Sequence, residues 1–198
     1  EVLRSFYRKY YHSGNCSVYI SGKVTSEIIR CIEDNLGSGQ WGEVTEKAKT
    51  MLVPPVTTKE KRIFIEREDA LQSSLKMGCF VMDRHHPDFL KARVMVTLFG
   101  GYFGSRLMSN IREDKGYTYG IGAGIVSYPE TGILTVSTEA ANEYVDSIIT
   151  EVYREMDKLC NDLVPQEELE MVKNYMLGDL CRSYEGPFSL SDAWIYIE

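Results

Sequence analysis

The sequence predicts an α+β fold in which an antiparallel or mixed sheet carries its helices on one face. Three observations predict it. The elements run strand, helix, two strands, two helices, a hairpin and then helices to the end, without the strand–helix alternation of a doubly wound sheet. Residues 71–82 form a mostly apolar run, expected of a strand internal to a sheet. From Asn142 onward, Val145, Ile148, Ile149, Val152, Met156, Leu159, Cys160 and Leu163 recur along one helical face, with charges on the other.

Each element has a local cause. Residues 16–22 alternate and carry β-branched and aromatic side chains, which predicts a strand ended by Gly22. Thr25 or Ser26 caps the helix that follows, where Ile28, Ile29, Ile32 and Leu36 recur at helical spacing until Gly37. Residues 37–59 hold glycines, Trp41 and the pair Pro54-Pro55 without periodicity, and read as a long connecting loop. Residues 63–65 and 71–82 predict two strands joined by the charged turn Glu66-Arg67-Glu68-Asp69. After His86-Pro87-Asp88 the pattern becomes helical through Phe99, and Gly100-Gly101 break it. A second short helix begins at Gly104-Ser105, with Leu107, Met108 and Ile111 on its apolar side, and ends near Gly116. Residues 118–127 and 133–138 predict a hairpin around Tyr128-Pro129-Glu130-Thr131-Gly132. The final helices follow, with Pro165 in a first turn, Glu167 and Glu168 near its positive end, and Leu169, Val172, Met176 and Leu180 on the buried side.

Composition narrows the function classes. The chain of 198 residues has 22 basic and 29 acidic residues, a formal charge of −7, and no basic stripe. Nucleic-acid binding draws its affinity from Lys and Arg facing phosphates, so a polyanion is not expected as a partner. No apolar stretch reaches the ~20 residues needed to span a bilayer. Cys16, Cys31, Cys79, Cys160 and Cys181 are scattered singly, neither a disulfide framework nor a paired zinc motif. Most of them read as buried thiols in a reducing compartment, which points to the cytoplasm.

Three constellations are candidates for chemistry. The glycine-rich stretch 100–106 lies between two helical patterns and lacks a P-loop lysine, so it reads as a tight helix–helix break rather than a phosphate cradle. His85-His86, with Asp83 and Asp88 nearby, reads as a polar turn before a helix. Adjacent histidines on an extended segment diverge, and neither H-x-x-E-H nor H-E-x-x-H occurs. In the stretch 111–120, a reversal at Gly116 brings Arg112 and Tyr119 to one rim. A guanidinium fork and a phenol O–H are donors that can orient a peptide carbonyl and help more as charge grows on its oxygen. From residue types alone, the alternative is a surface arginine paired with a carboxylate and a tyrosine that fills a strand position.

The same stretch carries a resemblance. Gly100-Gly101, Ser105-Arg106-Leu107 and Arg112-Glu113-x-Lys115-Gly116-x-x-Tyr119 resemble the C-terminal halves of pitrilysin/insulinase-type zinc peptidases. Phe6-Tyr7, Asn15 and Gly22, then Gln72, His86-Pro87-Asp88 and Glu167-Glu168-Leu169, fall in the order that family shows, so the likeness covers nearly the whole chain. The resemblance implies one half of a two-domain clamshell, with residues 1–198 a single αβ domain from a longer chain. In that family the other half holds zinc through H-x-x-E-H and a downstream glutamate. This chain would then hold no metal and be inactive alone. Its expected partners are that catalytic half, fused or separate, and a peptide substrate. The family's accessory half lends an arginine and a tyrosine, which match Arg112 and Tyr119, to bind substrate backbone and steady the tetrahedral intermediate. One departure is Tyr117, where leucine is common. On a strand Tyr117 and Tyr119 share a side, so Tyr117 is a second candidate. Relatives also serve as non-proteolytic core subunits, and a scaffold role is the alternative.

Overall fold

The computed structural model describes residues 1–37, 39, 41–42, 58–128 and 130–197. These fall into two compact units, Glu1–Ile63 with Asp179–Glu198, and Phe64–Gly178.

In the first unit, α1 (Val2–Tyr10) and α2 (Ser26–Ile32) are short helices. Thr25 caps α2 as its sequence requires, its hydroxyl accepting the Ile28 N–H at 3.3 Å. Asn15 donates to the Tyr10 carbonyl at 3.0 Å and so serves the C-terminal end of α1. The one fully buried side chain among its described residues is His12, beside Trp41, whose carbonyl accepts the Ser13 N–H. Residues 16–22, expected as the first strand, and residues 63–65, expected as the second, pair with no strand among the described residues. Alternation prepares a segment for a ladder, but a ladder needs a partner's N–H and C=O groups, which no local pattern supplies. Most of the loop expected over residues 37–59 lies outside the described residues.

The second unit contains a three-stranded antiparallel sheet in the order β1-β3-β2, with β1 Ser73–Val81, β2 Thr118–Ser127 and β3 Gly132–Ala140. The expected hairpin is β2–β3. The interior position falls to β3, not to the more apolar β1, because residues 63–65 do not join the far side of β1. One face of the sheet is covered by helices. α3 (Phe89–Val96) runs into a π-wound turn (Thr97–Gly101), and a second π-wound helix (Met108–Asp114) and α4 (Val145–Asn161) follow. Phe99, Leu107, Ile111, Ile121, Val136, Ile148 and Val152 form the core between these layers. Burial of each such side chain contributes about 1.5–3 kcal/mol relative to exposure.

The glycine break expected at Gly100-Gly101 has a packing cause. A Cβ on Gly100 would stand 2.7 Å from both the backbone N and the Cβ of Ala123, so only glycine lets the end of this helix touch β2. Two expectations about the helices change. Glu151 and Glu155, read as part of the solvent face of α4, are 6% and 4% exposed. All five cysteines, most of them expected inside, are exposed. Cys160, for instance, sits one position past the packed Leu159, which rotates it by about 100° off the stripe. Two more helices, α5 (Gln166–Ser183) and α6 (Pro187–Ile197), complete the order, and Val172 is the buried residue of α5.

Candidate functional site

The Met108–Asp114 helix is anchored to α4 through Asn110 and its neighbour Lys115. At 3.1 and 2.8 Å, Asn110 Nδ2 donates to Glu151 Oε2 and Glu155 Oε1. Lys115 Nζ donates to Asn110 Oδ1 at 2.6 Å and lies 3.4 Å from Glu151. Arg154 and Lys158 reach back along α4 to the same two carboxylates at 2.7 Å. This network is why two glutamates lie buried: each is hydrogen-bonded and faces cations. Burial alone would raise the Glu151 carboxyl, but Asn110, Lys115 and Arg154 outweigh it and hold it below its ordinary value. The burial of the two glutamates was not legible in α4 itself, because Asn110 lies 41 and 45 residues away from them.

The helix ends in an αL glycine cap. Gly116 takes φ +65, its N–H donates to the Arg112 carbonyl at 3.0 Å, and the Tyr117 N–H donates to the Ile111 carbonyl at 3.0 Å. In such a cap the residue after the glycine commonly packs inward. Tyr117 does so, stacking on Tyr144 at 4.9 Å with 15° between the rings. It therefore precedes β2 and escapes the alternation rule.

Tyr119 is turned the other way by a β-bulge. Thr118 pairs with Ala140 and Ile121 with Thr138, so β2 carries one residue more than β3 between these points. The buried Thr118 hydroxyl fastens the bulge: it donates to the Glu139 carbonyl at 2.6 Å and accepts the Gly120 N–H at 3.2 Å. The Thr138 hydroxyl lies 2.8 Å from it. Tyr119 is 89% exposed. Beside it lies an open groove of ≈ 540 Å³, lined also by Gln72, Ser74 and Lys76 from β1 and its approach and by Ser137 and Glu139 of β3.

Arg112 and Tyr119 thus meet, and Tyr117 stands apart from them. The Arg112 guanidinium carbon is 5.1 Å from the Tyr119 ring centroid and 4.6 Å from that of Phe103. Among the described residues no carboxylate forms an ion pair with Arg112. Phe103 was not singled out by sequence reasoning. Its one signal is a phenylalanine in a glycine-flanked turn that no helical periodicity assigns to the core.

The histidine pair is engaged in backbone turns. Asp83 Oδ1 accepts the His85 N–H at 2.7 Å, and His86 Nδ1 accepts the Asp88 N–H at 3.2 Å. Among the described residues no group of three or more His, Cys, Asp or Glu side chains is placed to hold a metal ion. Zinc therefore does not fit the donor set of these residues. Likewise, no helix among them is long and apolar enough to cross a membrane.

A family model described as "Peptidase M16 inactive domain" matches residues 1–176. The chain belongs to the peptidase M16 inactive-domain family. An uncharacterized zinc protease of Bacillus subtilis, YmxG, is 25% identical over 185 residues, covering 93% of this chain and 44% of that protein. The chain thus spans less than half the length of this relative. The crystal structure of a peptidase M16 inactive domain from Pseudomonas fluorescens is 27% identical and covers 56% of this M16 chain and 27% of its own, with a TM-score of 0.53. A protease from Helicobacter pylori matches 97% of the chain and 47% of its own at a TM-score of 0.75, with 17% identity, a likeness of fold. The family and the α+β architecture agree with the sequence-based expectations, and the non-catalytic character of the domain is consistent with its lack of H-x-x-E-H.

Proposed function

We propose that this M16 inactive domain is the accessory half of a zinc endopeptidase, in which Arg112 and Tyr119 bind the substrate backbone and stabilise the tetrahedral intermediate. The observation that carries the reading is a juxtaposition. An arginine without a carboxylate partner among the described residues lies over the ring of a tyrosine that is almost fully exposed at an open groove. The guanidinium's N–H groups and the phenol O–H are then free to donate to a substrate carbonyl, and such donors are worth more when the oxygen gains charge. Zinc and the water-activating glutamate belong to a separate H-x-x-E-H half, in the same polypeptide or in a partner subunit.

In the complete protein, Arg112→Ala and Tyr119→Phe are each expected to lower kcat/KM for an unstructured peptide by roughly 10²-fold, the usual effect of removing one such donor. Tyr119→Phe keeps the ring under Arg112 and so isolates the hydroxyl. Unchanged turnover in both variants overturns the assignment. If neither the full polypeptide nor its partner contains H-x-x-E-H, the scaffold reading replaces it.

A further inference from the structure

We propose that Phe103 is a positioning residue for Arg112, a ring that holds the guanidinium beside Tyr119 without engaging a carboxylate. The inference rests on the reading of Arg112 as a substrate-binding group. Phe103 lies in the short turn between the Thr97–Gly101 segment and the following helix, closed by the Ser105 N–H donating to the Tyr102 carbonyl at 3.1 Å. The two aromatic residues of this turn have opposite fates. Tyr102 stacks on Tyr175 of α5 at 4.8 Å, and Gly104 leaves it room, since a Cβ there would stand 2.9 Å from the Tyr102 ring. Phe103 points outward, is 60% exposed, and belongs to no part of the core.

A single exposed phenylalanine needs no explanation. This one lies beneath a cation that has no carboxylate partner among the described residues, and it approaches that cation more closely than Tyr119 does, 4.6 Å against 5.1 Å. A guanidinium binds a ring through its flat face, and its N–H donors lie in its plane. A face contact of that kind restricts Arg112 and leaves its N–H donors available to a carbonyl. An ion pair would do the opposite, consuming the N–H groups that a substrate carbonyl needs. The long arginine side chain loses considerable rotamer freedom when it engages a ligand, and a ring that restricts it beforehand reduces that loss.

The test uses the complete protein with its catalytic half and an unstructured peptide. Phe103→Leu, which keeps apolar bulk and removes the ring, is expected to lower kcat/KM about two- to five-fold, the range an exposed cation–π contact supports. Phe103→Tyr is expected to restore most of it, the thermal midpoint should stay unchanged, and Phe103→Leu should cost nothing further in an Arg112→Ala background. Wild-type turnover in Phe103→Leu, equal losses in the Leu and Tyr variants, or full additivity with Arg112→Ala overturns the proposal. A second readout separates it from the reading on which it rests. Phe103→Leu should lower the NMR order parameter of the Arg112 Nε–H bond, and an unchanged value overturns the positioning role. If Arg112→Ala alone leaves turnover intact, it is the substrate-binding reading that falls.

Discussion

The Arg106 guanidinium grips Glu168 through two parallel N–H···O bonds, Nε to Oε1 and Nη2 to Oε2, both 2.8 Å, joining the start of the Arg112-bearing helical segment to α5. Both side chains are largely buried, at 16% and 27% exposure, and the contact holds the Arg106 group further above its already high ordinary value. Arg106→Ala should destabilise the protein by about 1–3 kcal/mol, the scale of a charge-assisted hydrogen bond lost in a shielded place. Arg106→Lys should recover only part, because an ammonium cannot make the fork. Denaturant unfolding of the three proteins checks this, and an alanine variant as stable as wild type contradicts it.

Glu151 should give the protein an acid-sensitive component of stability. Its folded carboxyl sits below the ordinary 4.5 of the unfolded chain. Below pH 4.5 the unfolded state therefore binds the proton more readily than the folded state does, and stability rises with pH through that window. The contribution is complete above 4.5 and is lost as the pH falls through the lower folded value. Unfolding free energies measured from pH 6 down to about pH 3 should show this slope in the wild type and a flatter one in Glu151→Gln. Parallel slopes would show that the Asn110–Lys115 network does not hold this carboxylate charged.

The bulge that turns Tyr119 outward should depend on one hydroxyl. Thr118→Val keeps the branched shape but leaves the Gly120 N–H and the Glu139 carbonyl without their Thr118 partner. The expected cost is about 1–3 kcal/mol, together with faster hydrogen exchange at the Gly120 N–H, while Thr118→Ser should stay close to wild type. Protection at Gly120 equal to wild type in the valine variant would mean that the backbone alone maintains the bulge.

Features with a local cause were legible in the residues. The Thr25 cap, the hairpin around residues 128–132, the apolar stripe of α4 through Ile148 and Val152, and the reversal at Gly116 each follow from neighbours within a few positions. Features set by distant partners were not. Residues 16–22 have a strand's composition, yet pair with no strand among the described residues. Glu151 and Glu155 have a surface residue's composition and are buried, because Asn110 and its neighbours meet them there. The cysteines face outward, although hydrophobic runs surround them.

Arg112 and Tyr119 show where the division lies. By itself, the sequence showed that a helix end, a glycine turn and a strand start could bring these two residues to one rim, and its ordered motifs pointed to the family. It chose Tyr119 by motif and kept Tyr117 as a second candidate, since an alternating strand sends both to the same side. Only the tertiary structure separated them. The helix cap draws Tyr117 inward onto Tyr144, and the bulge fastened by Thr118 to β3 turns Tyr119 to solvent beside the Arg112 guanidinium. Hydrogen bonds and packing between distant segments decide the direction of a side chain here, and neither exists until the chain has folded.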